Sequence, residues 1–154
     1  MYDFVDRKLT RLDEGGRFLV WSMRLWVTAL GLGQCPSPSV APAFARWHAI
    51  GALPPFLRLM TLLNRDALES LHFCSLPCDH VSEHEAIVLA LICATQERRY
   101  ASVRDTLALL VAEDSIGAVL DALSGLGEAL RQADIAPTRP YAPDACSKGA
   151  TSTE

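Results

Sequence analysis

The sequence predicts an all-α protein: a single-domain compact bundle of about six to seven helices over residues 3–133, followed by a disordered C-terminal tail over 134–154. Three observations lead there. Apolar residues recur at helical spacing in one segment after another. Alternating runs of the kind a half-buried strand needs are missing. Half of the 154 residues are apolar, which suffices for a sizeable core in one domain.

The elements follow in order. Val5, Leu9 and Leu12 share one face of a short helix over residues 3–13, which "EGG" ends. "GRFLVWSMRLWVTALGLG" (16–33) is a second helix, terminated by Gly31 and Gly33. Its polar residues Arg17, Arg24 and Thr28 fall within about 40° of one another on a helical wheel. The rest of its circumference is apolar, so this helix is central. "QCPSPSVAP" (34–42) reads as a loop, because its three prolines oppose a continuous helix. "APAFARWHAI" (41–50) is a short helix before Gly51. "LPPFLRLMTLLNR" (53–65) starts another, with prolines tolerated in the first turn and Arg58, Thr61 and Arg65 as a narrow polar stripe.

Ser82 opens the clearest helix start in the chain. "SEHE" is a Ser-x-x-Glu capping box, in which the Ser82 hydroxyl meets the Glu85 amide and the Glu85 carboxylate reaches back. The run "AIVLALICA" (86–94) that follows is a core helix. "RRYASVRDTLALLVAEDS" and "SIGAVLDALSGLGEALRQA" complete the set, the last with Ile116, Val119, Leu120, Leu123, Leu126 and Leu130 on one amphipathic face. From Ile135 on, the chain lacks the apolar content to pack.

Composition excludes several classes. A net charge of −4 with no basic stripe argues against a nucleic-acid binder. The most apolar helical run is too short to span a bilayer and holds Arg24 near its middle, so no transmembrane segment is expected. The N-terminus lacks the features of a signal peptide. Five cysteines without regular spacing fit reduced thiols in a cytoplasmic protein.

Chemistry-bearing residues concentrate in "HFCSLPCDHVSEHEA" (72–86). Cys74, Cys78, His80 and His84 form C-x3-C-x-H-x3-H, a donor set that suits tetrahedral zinc, with Cys35 or His48 as a ligand from elsewhere in the fold. The spacing weighs against zinc, since its usual pairs are C-x2-4-C with a dozen residues to the second pair. The favoured alternative is structural: Leu71, Phe73, Leu76 and Cys74 pack a loop onto the core, as free cysteines commonly do. Thiol-redox chemistry ranks below both, because C-x3-C set back from the helix start lacks the dipole that lowers a thiolate pKa.

An aromatic-aliphatic helix of the "RFLVWSMRLW" type, then "LPPFLRLMTLL", a cysteine-bearing turn, and the capped Ala/Leu helix of "CDHVSEHEAIVLAL" resemble an uncharacterised family of small all-helical alphaproteobacterial proteins. That family's cysteines are adjacent and its turn basic; here Cys74 and Cys78 are apart and the turn holds Asp79. The resemblance implies a helical fold and a bacterial cytoplasmic setting, and no activity.

Arg17 with Arg24, and Arg58 with Arg65, are seven residues apart on apolar helices. Each pair either faces an internal acid or anion or forms the solvated edge of its helix, and the second is favoured. Trp21, Trp26 and Trp47 with Phe18, Phe44 and Phe56 read as core. No nucleophile elbow, P-loop, dinucleotide fingerprint or H-E-x-x-H occurs. The sequence thus points to an interaction or regulatory module without catalytic groups or cofactor, acting as a homodimer or with a protein partner. A zinc-binding or metal-sensing protein is the competing class.

Overall fold

A computed structural model of the chain describes residues 3–140. Among them are six α-helices and no strand: α1 Glu14–Gly31, α2 Pro36–Arg46, α3 Leu53–Asp66, α4 Glu83–Gln96, α5 Tyr100–Leu110 and α6 Ile116–Gln132. Short 3₁₀ turns lie at Leu9–Arg11, Ile50–Ala52 and Glu113–Ser115. The predicted all-α class is the observed one.

The core forms around α4. From Val88 to Thr95 this helix is buried without interruption, because its residues are apolar or small all round. Its lone hydroxyl in that stretch, on Thr95, donates to the Leu91 carbonyl at 2.8 Å and so carries no unmet polar group into the core. α6 packs along α3 and α4 through Val119, Leu123, Leu126 and Leu130. α1 packs along α2 and against α4, contributing Phe18, Leu19, Val20, Met23 and Trp26.

The N-terminal segment departs from expectation. No helix spans residues 3–13; only the turn at Leu9–Arg11 forms there. The preceding residues turn through Asp6, whose backbone is left-handed (φ 56°), and pair with Asp79–Val81: Asp6 N–H donates to the Val81 carbonyl (3.1 Å), Val81 N–H to Arg7 (2.9 Å) and Leu9 N–H to Asp79 (2.8 Å). Phe4 and Leu12 still reach the core. "EGG", expected to end a helix, begins α1 instead, with Asp13 as N-cap accepting from Gly16 N–H at 2.8 Å. A Cβ at Gly15 would overlap the Ile135 carbonyl, so glycine is required where the chain's end crosses the start of α1.

α2 is the second departure. The Pro/Ser stretch is helical from Pro36. Pro36 and Pro38 lie in the first turn, where a missing N–H costs nothing because those donors have no intrahelical acceptor. Pro42 alone removes an internal bond. α2, α4 and α6 close with His48, Arg98 and Asp134 in the left-handed region (φ 55°, 59° and 60°), where glycine is the usual residue. In α4 the Arg99 N–H then bonds Ala94 and Arg98 N–H bonds Thr95, the paired bonds that satisfy the last carbonyls.

Residues 134–140, expected to open the tail, lie against the body. Ile135 and Pro137 are buried. Thr138 donates twice to the Asp13 carboxylate at 2.8 Å. Arg139 pairs with Glu97 (2.9 Å) and Asp3 (2.8 Å). The rest of the expected tail, 141–154, lies outside the described residues.

Leu89 is fully enclosed and Trp26 is 5% exposed. Truncating either to Ala is expected to lower unfolding free energy by about 2–5 kcal/mol, with the helical circular dichroism signal kept in the absence of denaturant. Urea unfolding measures it; losses below about half a kcal/mol at both sites would place the core elsewhere.

Candidate functional site

Between α3 and α4 the chain runs from Ala67 to Ser82 without regular structure. A segment of this kind has no helix ladder to satisfy its backbone groups, so other parts of the protein must. Arg24 of α1 and Glu85 of α4 do so. Arg24 is 1% exposed and Glu85 is fully buried. The guanidinium Nε donates to Glu85 Oε1 at 2.8 Å and one terminal nitrogen to Oε2 at 3.0 Å, a two-pronged ion pair. The same guanidinium donates to the carbonyls of Cys78 (2.6 Å) and His80 (2.7 Å). Glu85 in turn accepts from the Cys74 N–H (3.1 Å) and the Ser82 N–H (2.9 Å). The carboxylate beside it raises the Arg24 pKa above the ordinary arginine value, against the opposing effect of burial.

This corrects the reading of Arg24 as a solvated helix edge. Arg17 and Thr28 on the same side of α1 are exposed as expected, and Arg58 and Arg65 are exposed partners of Asp121 and Asp66. Arg24 differs only in lying beneath the 74–80 loop. The signal that could have found it is the Glu85 of the capping box, an acid at the head of a wholly apolar helix.

The capping box itself forms as predicted. Glu85 N–H donates to Ser82 Oγ at 3.4 Å, while Ser82 Oγ donates to the His72 carbonyl at 3.1 Å. Glu85 therefore serves both the cap and the buried pair.

The five proposed metal ligands have the following surroundings. His84 Nδ1 accepts from the His72 N–H at 2.9 Å. His80 is exposed and its Nδ1 pairs with Asp79. Cys35 is exposed at the N-cap of α2. Among the described residues no three metal-competent side chains converge. Cys74 and Cys78 are near in the chain, and Cys78 N–H donates to the Ser75 carbonyl at 3.1 Å, closing a turn through Leu76 and Pro77. Burial first, then the neighbouring Cys78 and the Glu85 charge, pushes the Cys74 thiol above its ordinary range.

A second candidate lies at the exposed face of α1 that carries Arg17 and Trp21. Phe18 and Phe44 meet edge to face at 4.8 Å in the core, and Trp47 leans on Phe18 at 6.2 Å. Trp21 and Trp47, expected inside, are 47% and 40% exposed, while Trp26 is buried. The two exposed rings flank a groove of about 310 Å³ with Leu9, Glu14, Arg17 and Phe18. On the other side they share a hollow of about 480 Å³ with Pro42, Ala43 and Arg46. No family model matches the chain, and no curated protein or solved structure matches it.

Removing one member of the buried pair leaves an uncompensated charge, so Arg24→Met and Glu85→Leu are each expected to cost about 3–5 kcal/mol. The double variant should cost clearly less than the two together, as groups in one network are not additive. A urea-unfolding double-mutant cycle reads this; strict additivity would show that the pair is not coupled.

Proposed function

We propose that this protein is an interaction module that binds the apolar face of an acidic amphipathic helix through the α1–α2 surface around Trp21 and Trp47. The carrying observation is the pair of large aromatic side chains left half-exposed over a core that buries Phe18, Phe44 and Trp26. Tryptophan is the residue most able to anchor an interface, since it supplies large contact area at small entropic cost. The two hollows share these rings and so adjoin, as seats for the apolar side chains of a helix laid into a groove.

The charge of the rim chooses the partner. Arg17 and Arg46 border the two hollows, and Glu14 is the one acid there. Neither arginine has an ion-pair partner among the described residues. Two copies meeting face to face would set these cations against one another, which disfavours a homodimer through this face. An acidic partner gains both the apolar contact and steered association.

A synthetic amphipathic helix with leucines on one face and glutamates on the other is a direct probe, followed through the intrinsic fluorescence of Trp21 and Trp47. Binding should be weakened at least about tenfold in Trp47→Ala and in Trp21→Ala, a loss of about 1.4 kcal/mol each. It should also fall with added salt. Binding unchanged by both substitutions, or no binding in low salt, would contradict the reading.

A further inference from the structure

A hollow of about 450 Å³ lies where the C-terminal halves of α1 and α3 meet the irregular segment that follows α3. Its floor is core: Trp26, Met60 and Leu63 are each at most 5% exposed. Its sides are apolar as well, with Val27 half-buried and Leu30 and Leu68 exposed. The segment after α3 is pinned at both ends and so stands as a fixed wall. Leu68 N–H donates to the Leu110 carbonyl (2.8 Å), Ala112 N–H to Asp66 (3.0 Å), and His72 N–H to His84 Nδ1 (2.9 Å). A preformed apolar hollow of this size is the usual form of a small-molecule site, and its rigidity spares the ordering cost of binding.

The charge around the hollow selects the ligand. Glu69 is the one charged residue that borders it, and it has no ion-pair partner among the described residues. The last turns of α1 and α3 end beside the hollow, and the negative end of a helix dipole favours a cation there. α1 has no basic residue in its last turn to supply one. Arg65, in the last turn of α3, is taken up by Asp66 at 2.8 Å. We propose that this hollow binds a small apolar amine, its aryl or alkyl body on Trp26, Met60 and Leu63 and its cationic nitrogen at Glu69. The indole and the thioether together suit an aromatic body, which packs well against both.

This site is opposite in sign to the α1–α2 surface. There Arg17 and Arg46 border the apolar hollows and disfavour a cation, whereas no basic residue lines this one. The two surfaces therefore take different ligands, and neither needs the other to be occupied.

The test titrates phenylbutylamine into the full chain by isothermal calorimetry, beside phenylbutanol and phenylbutyrate, which keep the body and change the head. The amine should bind saturably, one molecule per chain, and at least about threefold more tightly than the alcohol, the scale of one partly exposed ion pair. The acid should bind more weakly than the alcohol. Glu69→Gln, at an exposed position, should reduce the preference for amine over alcohol while both still bind. Val27→Trp, with its helical circular dichroism signal confirmed, should fill the hollow and abolish binding of both. The proposal is overturned if the amine does not bind saturably, or if the alcohol or the acid binds as tightly. It is equally overturned if Glu69→Gln keeps the full preference, or if folded Val27→Trp binds the amine as the native chain does. No amphipathic helix enters these measurements, so their failure and that of the helix-binding surface are read separately.

Discussion

The buried pair of Arg24 and Glu85 is the constraint on which the chemistry-bearing part of this protein depends. An arginine on an apolar helix and a glutamate at the head of another are both removed from water, which costs several kcal/mol for each ion unless all its hydrogen-bonding capacity is met. Here all three guanidinium nitrogens and both carboxylate oxygens are bonded: four guanidinium bonds reach Glu85 and two loop carbonyls, and Glu85 receives two backbone amides in addition. No buried side-chain nitrogen or oxygen among the described residues lacks a partner. The pair thus joins three pieces of chain that hydrophobic packing alone would leave loosely related: the middle of α1, the loop after α3, and the start of α4.

The influence of this pair extends outward through the backbone. With the Cys78 and His80 carbonyls turned inward to Arg24, the peptide groups of Asp79 and Val81 present an edge to which the N-terminal segment bonds. That edge holds residues 6–9 by their backbone groups and lets Phe4 enter the core. A helix over the same residues would satisfy its own amides but leave that edge unpaired. The local helical spacing of Val5, Leu9 and Leu12 therefore loses to a tertiary demand, as propensity commonly does.

The two candidate sites follow from opposite treatments of polarity. At the middle of α1 an irregular loop is drawn over Arg24 and supplies carbonyls to it. Around Trp21 and Trp47 the rings stay half-exposed, and the apolar area remains available. A small domain has limited surface with which to bury its aromatic side chains. The half-exposed pair is what distinguishes this face from the ordinary scatter of single exposed apolar residues.

What the sequence determined by itself is what local chemistry encodes. The all-α class, α3 and its first-turn prolines, the wholly buried run of α4 and the amphipathic face of α6 rest on side-chain period and composition. The Ser82–Glu85 cap rests on a four-residue pattern, and each of these was legible without neighbours. The features decided by tertiary structure depend on what covers a residue. Arg17 and Arg24 occupy the same side of one helix seven residues apart, and nothing in their spacing states that the loop passes over the second alone. His48, Arg98 and Asp134 adopt left-handed backbone at helix ends where glycine would have announced the stop. Gly15 is required by Ile135, a residue 120 positions away in sequence. His80, His84 and Cys35 share donor chemistry with Cys74 and Cys78, yet among the described residues no three of the five form a metal-competent group. Spacing along the chain fixes direction around a helix axis; burial and convergence are fixed by the partner across it, and that partner is chosen only when the chain folds.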